Sequence, residues 1–286
     1  MKKVLLTSTA LILSAGIASA DVTVGGDGRM GIIDRDDAAG LSFTSRIRIS
    51  FAASGETDGG LTFGGSIRAD NAPGGVAGTA GSVFISGAFG KLTMGDTNGA
   101  AEAAVGDVSG VGLTGLADLN ETNYLLNTAP FRPNARYEYS FGDVTVYASA
   151  ENPAFDNEGF GLGVKYSPGT YSVALGYESV NIPGGGTIDH IVLGATGTFA
   201  GATVKFVYGD LDGAADDQIG LSVDYAFGAT KVTGFAKQQF DGETDFGIGA
   251  AYDLGGGASL KGGVVRDNFV GGGDRTMFDF GIAMTF

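Results

Sequence analysis

Four arginines, Arg29, Arg46, Arg48 and Arg68, stand in the first quarter of the chain. Four carboxylates, Glu102, Asp107, Asp118 and Glu121, follow within one stretch. A guanidinium group holds its charge at physiological pH and presents a planar fork of donors. Arginines on one wall of a narrow passage, facing carboxylates on another, create a transverse field. Such a field orders water and favours small polar solutes over apolar ones, and rings of pore-lining charge set ion preference. The local alternative is that the arginines splay into solvent, or pair with Asp27 and Asp70.

Other chemistry is thin. His190 is the single histidine, with Asp189 beside it. Acyl transfer would also need a positioned serine, and none lies near in sequence. There is no cysteine, which excludes disulfides, thiolate metal sites and thiol nucleophiles. The chain holds 17 basic residues against 32 acidic ones, a net charge of −15. This argues against nucleic acid and anionic lipid surfaces as partners.

The elements that must position these groups are short alternating strands. Side chains on a strand point to opposite faces with period two. Phe43, Ile47, Ile49 and Phe51 share one parity, with Thr44, Arg46, Arg48 and Ser50 on the other. Leu61, Phe63 and Ile67 oppose Thr62, Ser66 and Arg68 in the same way, and Met30 and Ile32 oppose Asp27 and Arg29. All four arginines thus share the polar face. The alternation continues to the last segment, where Phe278, Phe280, Ile282, Met284 and Phe286 oppose Asp279 and Thr285. Asp189 and His190 fall on opposite faces.

One apolar face per strand fits a soluble sandwich as well as a barrel. Three features favour a membrane barrel. The other face is small and charged, as a watery lumen would be. Aromatics such as Phe89, Tyr139, Phe141, Tyr166, Phe199, Tyr225 and Tyr252 crowd the strand ends beside tight turns, as at membrane interfaces. Short turns alternate with polar loops at Asp70 to Ala80, Ile182 to Gly186, Leu211 to Asp216 and Asn268 to Arg275. Glycine, 52 of 286 residues, far exceeds the roughly 7% of ordinary chains and supplies the turns.

The leader is separate. Lys2 and Lys3 precede an apolar run from Val4 to Ile17, which ends in Ala18-Ser19-Ala20. That order reads as a signal peptide over residues 1–20, leaving a barrel domain over 21–286. With no later helix-length apolar run, a membrane location requires a closed barrel. Seven short turns join fourteen strands, and one strand at each end makes sixteen. The interval between the turns at Gly90 and Gly142 is nearly twice the others. Its excess residues, Asp96 to Pro133, are read as a long third loop folded into the lumen as a constriction. Asn98 is read as the cap of a short helix over Ala100 to Val105, broken by Gly106.

Several segments carry a family resemblance: Phe43-Thr-Ser-Arg46-Ile-Arg48, Val83-Phe-Ile-Ser-Gly-Ala-Phe-Gly-Lys-Leu-Thr-Met-Gly-Asp96, Gly106-Asp107-Val108 and Tyr252-Asp-Leu-Gly-Gly-Gly-Ala258. The chain resembles the general-diffusion outer-membrane porins of the purple-bacterial (alpha-proteobacterial) type. The likeness covers the mature chain and is weakest over Leu113 to Pro133. It implies a homotrimer among outer-membrane lipid and lipopolysaccharide, and a water-filled channel for passive diffusion of ions and small hydrophilic solutes. It also implies recognition of the terminal Phe286 by the barrel-assembly machinery. No cofactor is required on this reading. Ca²⁺ on the acidic loops rests mainly on the likeness, since no EF-hand or nine-residue glycine repeat is present. A non-channel barrel, adhesin or structural anchor, is the alternative.

Overall fold

The computed structural model describes residues 21–72, 75–78, 81–127, 133–153, 158–268 and 273–286. The leader expected over 1–20 lies outside the described residues, as do 128–132 near the end of the long loop. The strands in chain order are β1 (Asp21–Asp34), β2 (Ser42–Glu56), β3 (Thr62–Ala72), β4 (Gly75–Gly78), β5 (Ser82–Gly87) and β6 (Gly90–Gly95). After the long loop come β7 (Pro133–Phe141), β8 (Val144–Glu151), β9 (Glu158–Tyr166), β10 (Tyr171–Ile182), β11 (Gly186–Phe199) and β12 (Ala202–Leu211). β13 (Gln218–Phe227), β14 (Thr230–Gln238), β15 (Thr244–Gly255), β16 (Ala258–Asp267) and β17 (Arg275–Thr285) complete the set.

β4 and β5 both pair with β3, so they form one stave of a sixteen-stranded antiparallel barrel. Each stave pairs with its neighbours in chain order. β17 returns to β1, with Asp27 opposite Thr285 and Asp34 opposite Phe278. Gly26 and Phe286 exchange backbone hydrogen bonds of 2.7 and 3.0 Å. Closure leaves no open edge, which is what a strand structure needs in hydrocarbon. The tight turns are glycine turns: Gly142 and Gly228 take φ of 57° and 58°, a region that costs other residues energy. The stretch from Asp70 to Ala80, expected as a loop, is instead largely paired. β3 runs to Ala72, and β4 lies against it. Backbone pairing needs no side-chain alternation, so this Gly- and Ala-rich hairpin left no period in the sequence.

Apolar side chains point outward. Phe43 is 93% exposed, and Val24, Ile67, Val83, Ile248 and Phe280 are exposed too. An apolar surface this continuous is unlike that of a water-soluble monomer and matches a lipid-facing band. The buried core lies on the opposite side of the wall. It joins Ala101, Ala104, Val105, Val108, Val111, Leu116 and Tyr124 of the long loop to Ile33, Val192, Val207, Phe235, Val265 and Met277 of the strands. The molecule's core is therefore a loop packed on the inward face of a sheet.

Candidate functional site

The long loop opens with α1 (Ala100–Val105). Its N-cap is Gly99, not Asn98 as expected. Asn98 instead donates to Glu102 Oε1 at 2.6 Å. The side-chain acceptor comes from the wall: Ser149 Oγ of β8 accepts from the Ala100 N–H at 2.9 Å. A tertiary partner thus satisfies one of the donors a helix start leaves open. Gly106, at φ 63°, ends the helix as expected. α1 touches β8 to β11, a later turn at Leu116–Asp118 touches β16 and β17, and Leu125–Asn127 touches β9 and β10.

Polar side chains of the inward parity fasten the loop. Ser109 N–H donates to Ser222 Oγ at 2.9 Å, and Ser109 Oγ to Asp224 at 2.5 Å. Asp279 accepts from Leu113 N–H at 2.8 Å, Thr114 N–H at 2.6 Å and Thr114 Oγ1 at 2.7 Å. Arg29 Nη1 donates to the carbonyls of the same two residues, at 3.4 and 3.1 Å. One peptide is therefore held from its donor and acceptor sides. Farther on, Gln218 accepts from Asn123 N–H at 2.7 Å, and Glu178 from Leu125 N–H at 2.7 Å. His190, fully buried, places Nδ1 3.0 Å from Glu178. Its place is beneath the loop end, beside the Tyr124 ring.

The four predicted arginines come together. Arg29 lies opposite Arg46 in the β1–β2 ladder, and Arg48 and Arg68 follow on β2 and β3. Neighbouring strands are about 4.8 Å apart, so the groups form one patch. Arg46 pairs with Asp27 at 3.0 Å, Arg48 with Asp70 at 3.0 Å and Arg68 with Asp70 at 2.6 Å. Local pairing, the alternative read from sequence, is thus realised for three of them. The patch keeps excess positive charge, because Asp70 is shared between two arginines.

The four predicted carboxylates occupy different settings. Glu102 takes the Asn98 amide on α1. Asp107 turns into the loop and accepts from Thr122 N–H at 2.8 Å. Asp118 and Glu121 are exposed residues of the loop. Partial burial, and then repulsion from Asp118 and Asp107, push the Glu121 carboxyl above the usual carboxylate range. Two wall cations missing from the predicted set, Lys205 and Lys237, attract Asp107. Lys237 Nζ also donates to the Glu121 carbonyl. Their inward parity was visible in the alternation of β12 and β14. Which loop residues they would meet was not. Among the described residues, no group of three or more histidine or carboxylate side chains is placed to hold a metal ion.

Comparison with known proteins gives one family. The family model described as "Gram-negative porin" matches residues 7–272. A porin from Rhodobacter capsulatus is 37% identical over 252 residues, which cover 76% of this chain and 83% of that protein. A porin from Fuscovulum blasticum is 26% identical over 248 residues, covering 75% and 83%. A porin crystal structure refined at 1.8 Å superposes with a TM-score of 0.80 at 33% identity, covering 93% of this chain and all of the other.

Proposed function

The chain belongs to the Gram-negative porin family, and on that premise we propose how its channel is narrowed and what it passes. The barrel is an outer-membrane porin channel; a non-channel adhesin or anchor is not favoured by its relatives. Segment 96–133 is read as the constriction. The observation that carries this reading is one-sided packing. The loop's helical turns rest on β8 to β11 and on β16 and β17, and Arg29 of β1 holds the loop at Leu113 and Thr114, while Arg46, Arg48 and Arg68 sit on β2 and β3. The passage then runs between those three arginines and the exposed Asp118 and Glu121. Arginines facing carboxylates across it would set a transverse field that favours ions and small hydrophilic solutes. Passive diffusion needs no chemical step, and His190 serves in this reading as a strut for Glu178.

Homotrimer formation is part of the proposal. A transmembrane strand needs roughly 9–11 residues, whereas β5 and β6 have 6 each. Their outward Val83, Ile85, Leu92 and Met94 suit cover by a second copy. Export through the periplasm with loss of residues 1–20, contact with lipopolysaccharide, and recognition of the exposed Phe286 by the assembly machinery complete the reading. Ca²⁺ is proposed only as an optional ligand of the acidic loops. The test is conductance of the purified protein in a planar bilayer. Discrete ohmic steps arriving in threes are expected; a membrane that stays silent would sink the channel reading.

A further inference from the structure

We propose that the channel's bore is set by a track of wall glycines, whose missing side chains let the constriction loop lie flat. The proposal rests on segment 96–133 being the constriction. Six strand glycines carry it: Gly163, Gly176, Gly194, Gly220, Gly249 and Gly263. None has positive φ, so backbone conformation does not call for glycine at any of them. Glycine inside a strand costs about 0.5–1 kcal/mol relative to alanine and marks close approach of another backbone or a bend.

Here the approach is visible at every site. A Cβ on Gly163 would lie 2.5 Å from the Ala100 carbonyl oxygen, and one on Gly176 would lie 2.8 Å from Ala101 Cα. On Gly194 it would meet Val105 Cγ1 at 2.8 Å, and on Gly220 Val108 Cγ1 at 3.0 Å. On Gly249 it would meet the Gly262 carbonyl oxygen of the next strand at 2.9 Å and Val111 Cβ of the loop at 3.0 Å, and on Gly263 the Gly112 nitrogen at 2.7 Å. The loop residues ascend in the same order as the strands they touch, from β9 to β16. The loop is therefore a strip wound along the inner wall, with residues 100–112 passing from β9 to β16, and the glycines are the bed it lies in. Real Cβ atoms essentially never come within 3.0 Å of other heavy atoms, so a methyl group at Gly163, Gly176, Gly194 or Gly263 displaces the strip from the wall, and one at Gly220 or Gly249 presses on it more mildly.

The side chains involved separate this from a role in strand bending. At Gly176 the neighbours are Ala101 Cβ at 2.7 Å and Cα at 2.8 Å, both fixed by the helix backbone and unable to rotate aside. At Gly194 it is the Val105 side chain, which can be trimmed. Single-channel conductance and the size limit for sugars entering proteoliposomes are read for Gly176→Ala, Gly194→Ala, and Gly194→Ala with Val105→Ala. Gly197→Ala is the control, on the same strand as Gly194 with nothing within 4 Å of its Cβ position. Both single variants should lower conductance and the sugar limit, the double variant should restore them, and the control should match the parent. Gly220→Ala, with its milder contact, stands in for any variant that fails to form a heat-modifiable barrel. Unchanged conductance in folded Gly176→Ala, or no restoration by Val105→Ala, overturns the track. Asn123→Trp, a bulky group on the exposed side of the loop, tests the constriction itself. If Asn123→Trp leaves conductance intact, the constriction reading fails and the track with it. If it blocks while the glycine variants do not, only the track fails.

Discussion

On the channel reading proposed above, individual side chains do two kinds of work. Some carry charge toward the passage, and others hold the loop. Glu121 belongs to the first kind. Its carboxyl is raised by partial burial and by Asp118 and Asp107, so it takes up a proton at a pH above the ordinary value of 4.5. Acidification then removes this negative charge before those of ordinary carboxylates. Wild-type protein should lose cation preference as pH falls, before ordinary carboxylates titrate, and Glu121→Gln should lack that step. Reversal potentials measured across a salt gradient between pH 4 and 7 check this; parallel profiles would refute it. The stability linkage has the matching sign. A raised folded-state value favours the protonated form, so its contribution is complete below the unfolded value and is lost as pH rises through the folded one. Asp279 belongs to the second kind. Its carboxylate takes three donors from Leu113 and Thr114. Asp279→Asn keeps the shape but loses the charge and one acceptor, at a cost of about 2 kcal/mol for charge-assisted bonds. Faster hydrogen exchange at the Leu113 and Thr114 amides and noisier open-channel current are expected. Unaltered protection of both amides would show that Arg29 holds the peptide alone.

Among the elements, the loop is the least regular and the most constrained. Leu116, Ala117 and Asp118 follow Gly115 with φ of 48°, 70° and 54°. Left-handed backbone costs an L-residue roughly 1–2 kcal/mol. Wall contacts on β16 and β17 and the buried Leu116 hold this turn in place, and Asp118 stays exposed within it. Ala117→Gly removes the Cβ from one strained position without touching the wall, since Ala117 is exposed. Relief of roughly 1–2 kcal/mol of left-handed strain outweighs the entropic cost of glycine, about 0.5–1 kcal/mol, so the turn should gain stability, read as slower exchange of the Asp118 amide. An equal or faster rate would mean that the strain is not stored at Ala117. The strands are the opposite case. Their period of two, their turn glycines and their order were legible from Phe43, Arg46 and Arg48 onward, because each strand is specified by its own residues and its next neighbour. β4 was missed because glycine and alanine leave no alternation to read.

At the scale of the whole molecule, closure of β17 on β1 turns a run of hairpins into a tube, which in the proposed reading the loop narrows. The acidic excess and the arginine patch pull ion preference in opposite directions. Because Arg46, Arg48 and Arg68 spend part of their charge on Asp27 and Asp70, the exposed carboxylates should prevail. A mild cation preference is therefore expected from the reversal potential of the intact protein in dilute salt, shrinking as ionic strength rises through the roughly 10 Å screening length of 0.1 M salt. An anion-selective value would reverse the assignment of the dominant charge.

The sequence by itself determined the barrel, its strand count, the parity of Arg29, Arg46, Arg48 and Arg68, and the location of the long loop. All of these follow from local period and spacing. The tertiary structure alone decided what each charge faces. Asp107 turned into the loop to take Thr122 N–H, Asp70 was shared by two arginines, and Asp279 became a clasp for Thr114. The same holds for the glycines of β9 to β16, whose reason is a loop far away in sequence. Partners across a closed barrel are set by how far the loop travels round the wall, and no residue's neighbours in the chain encode that distance.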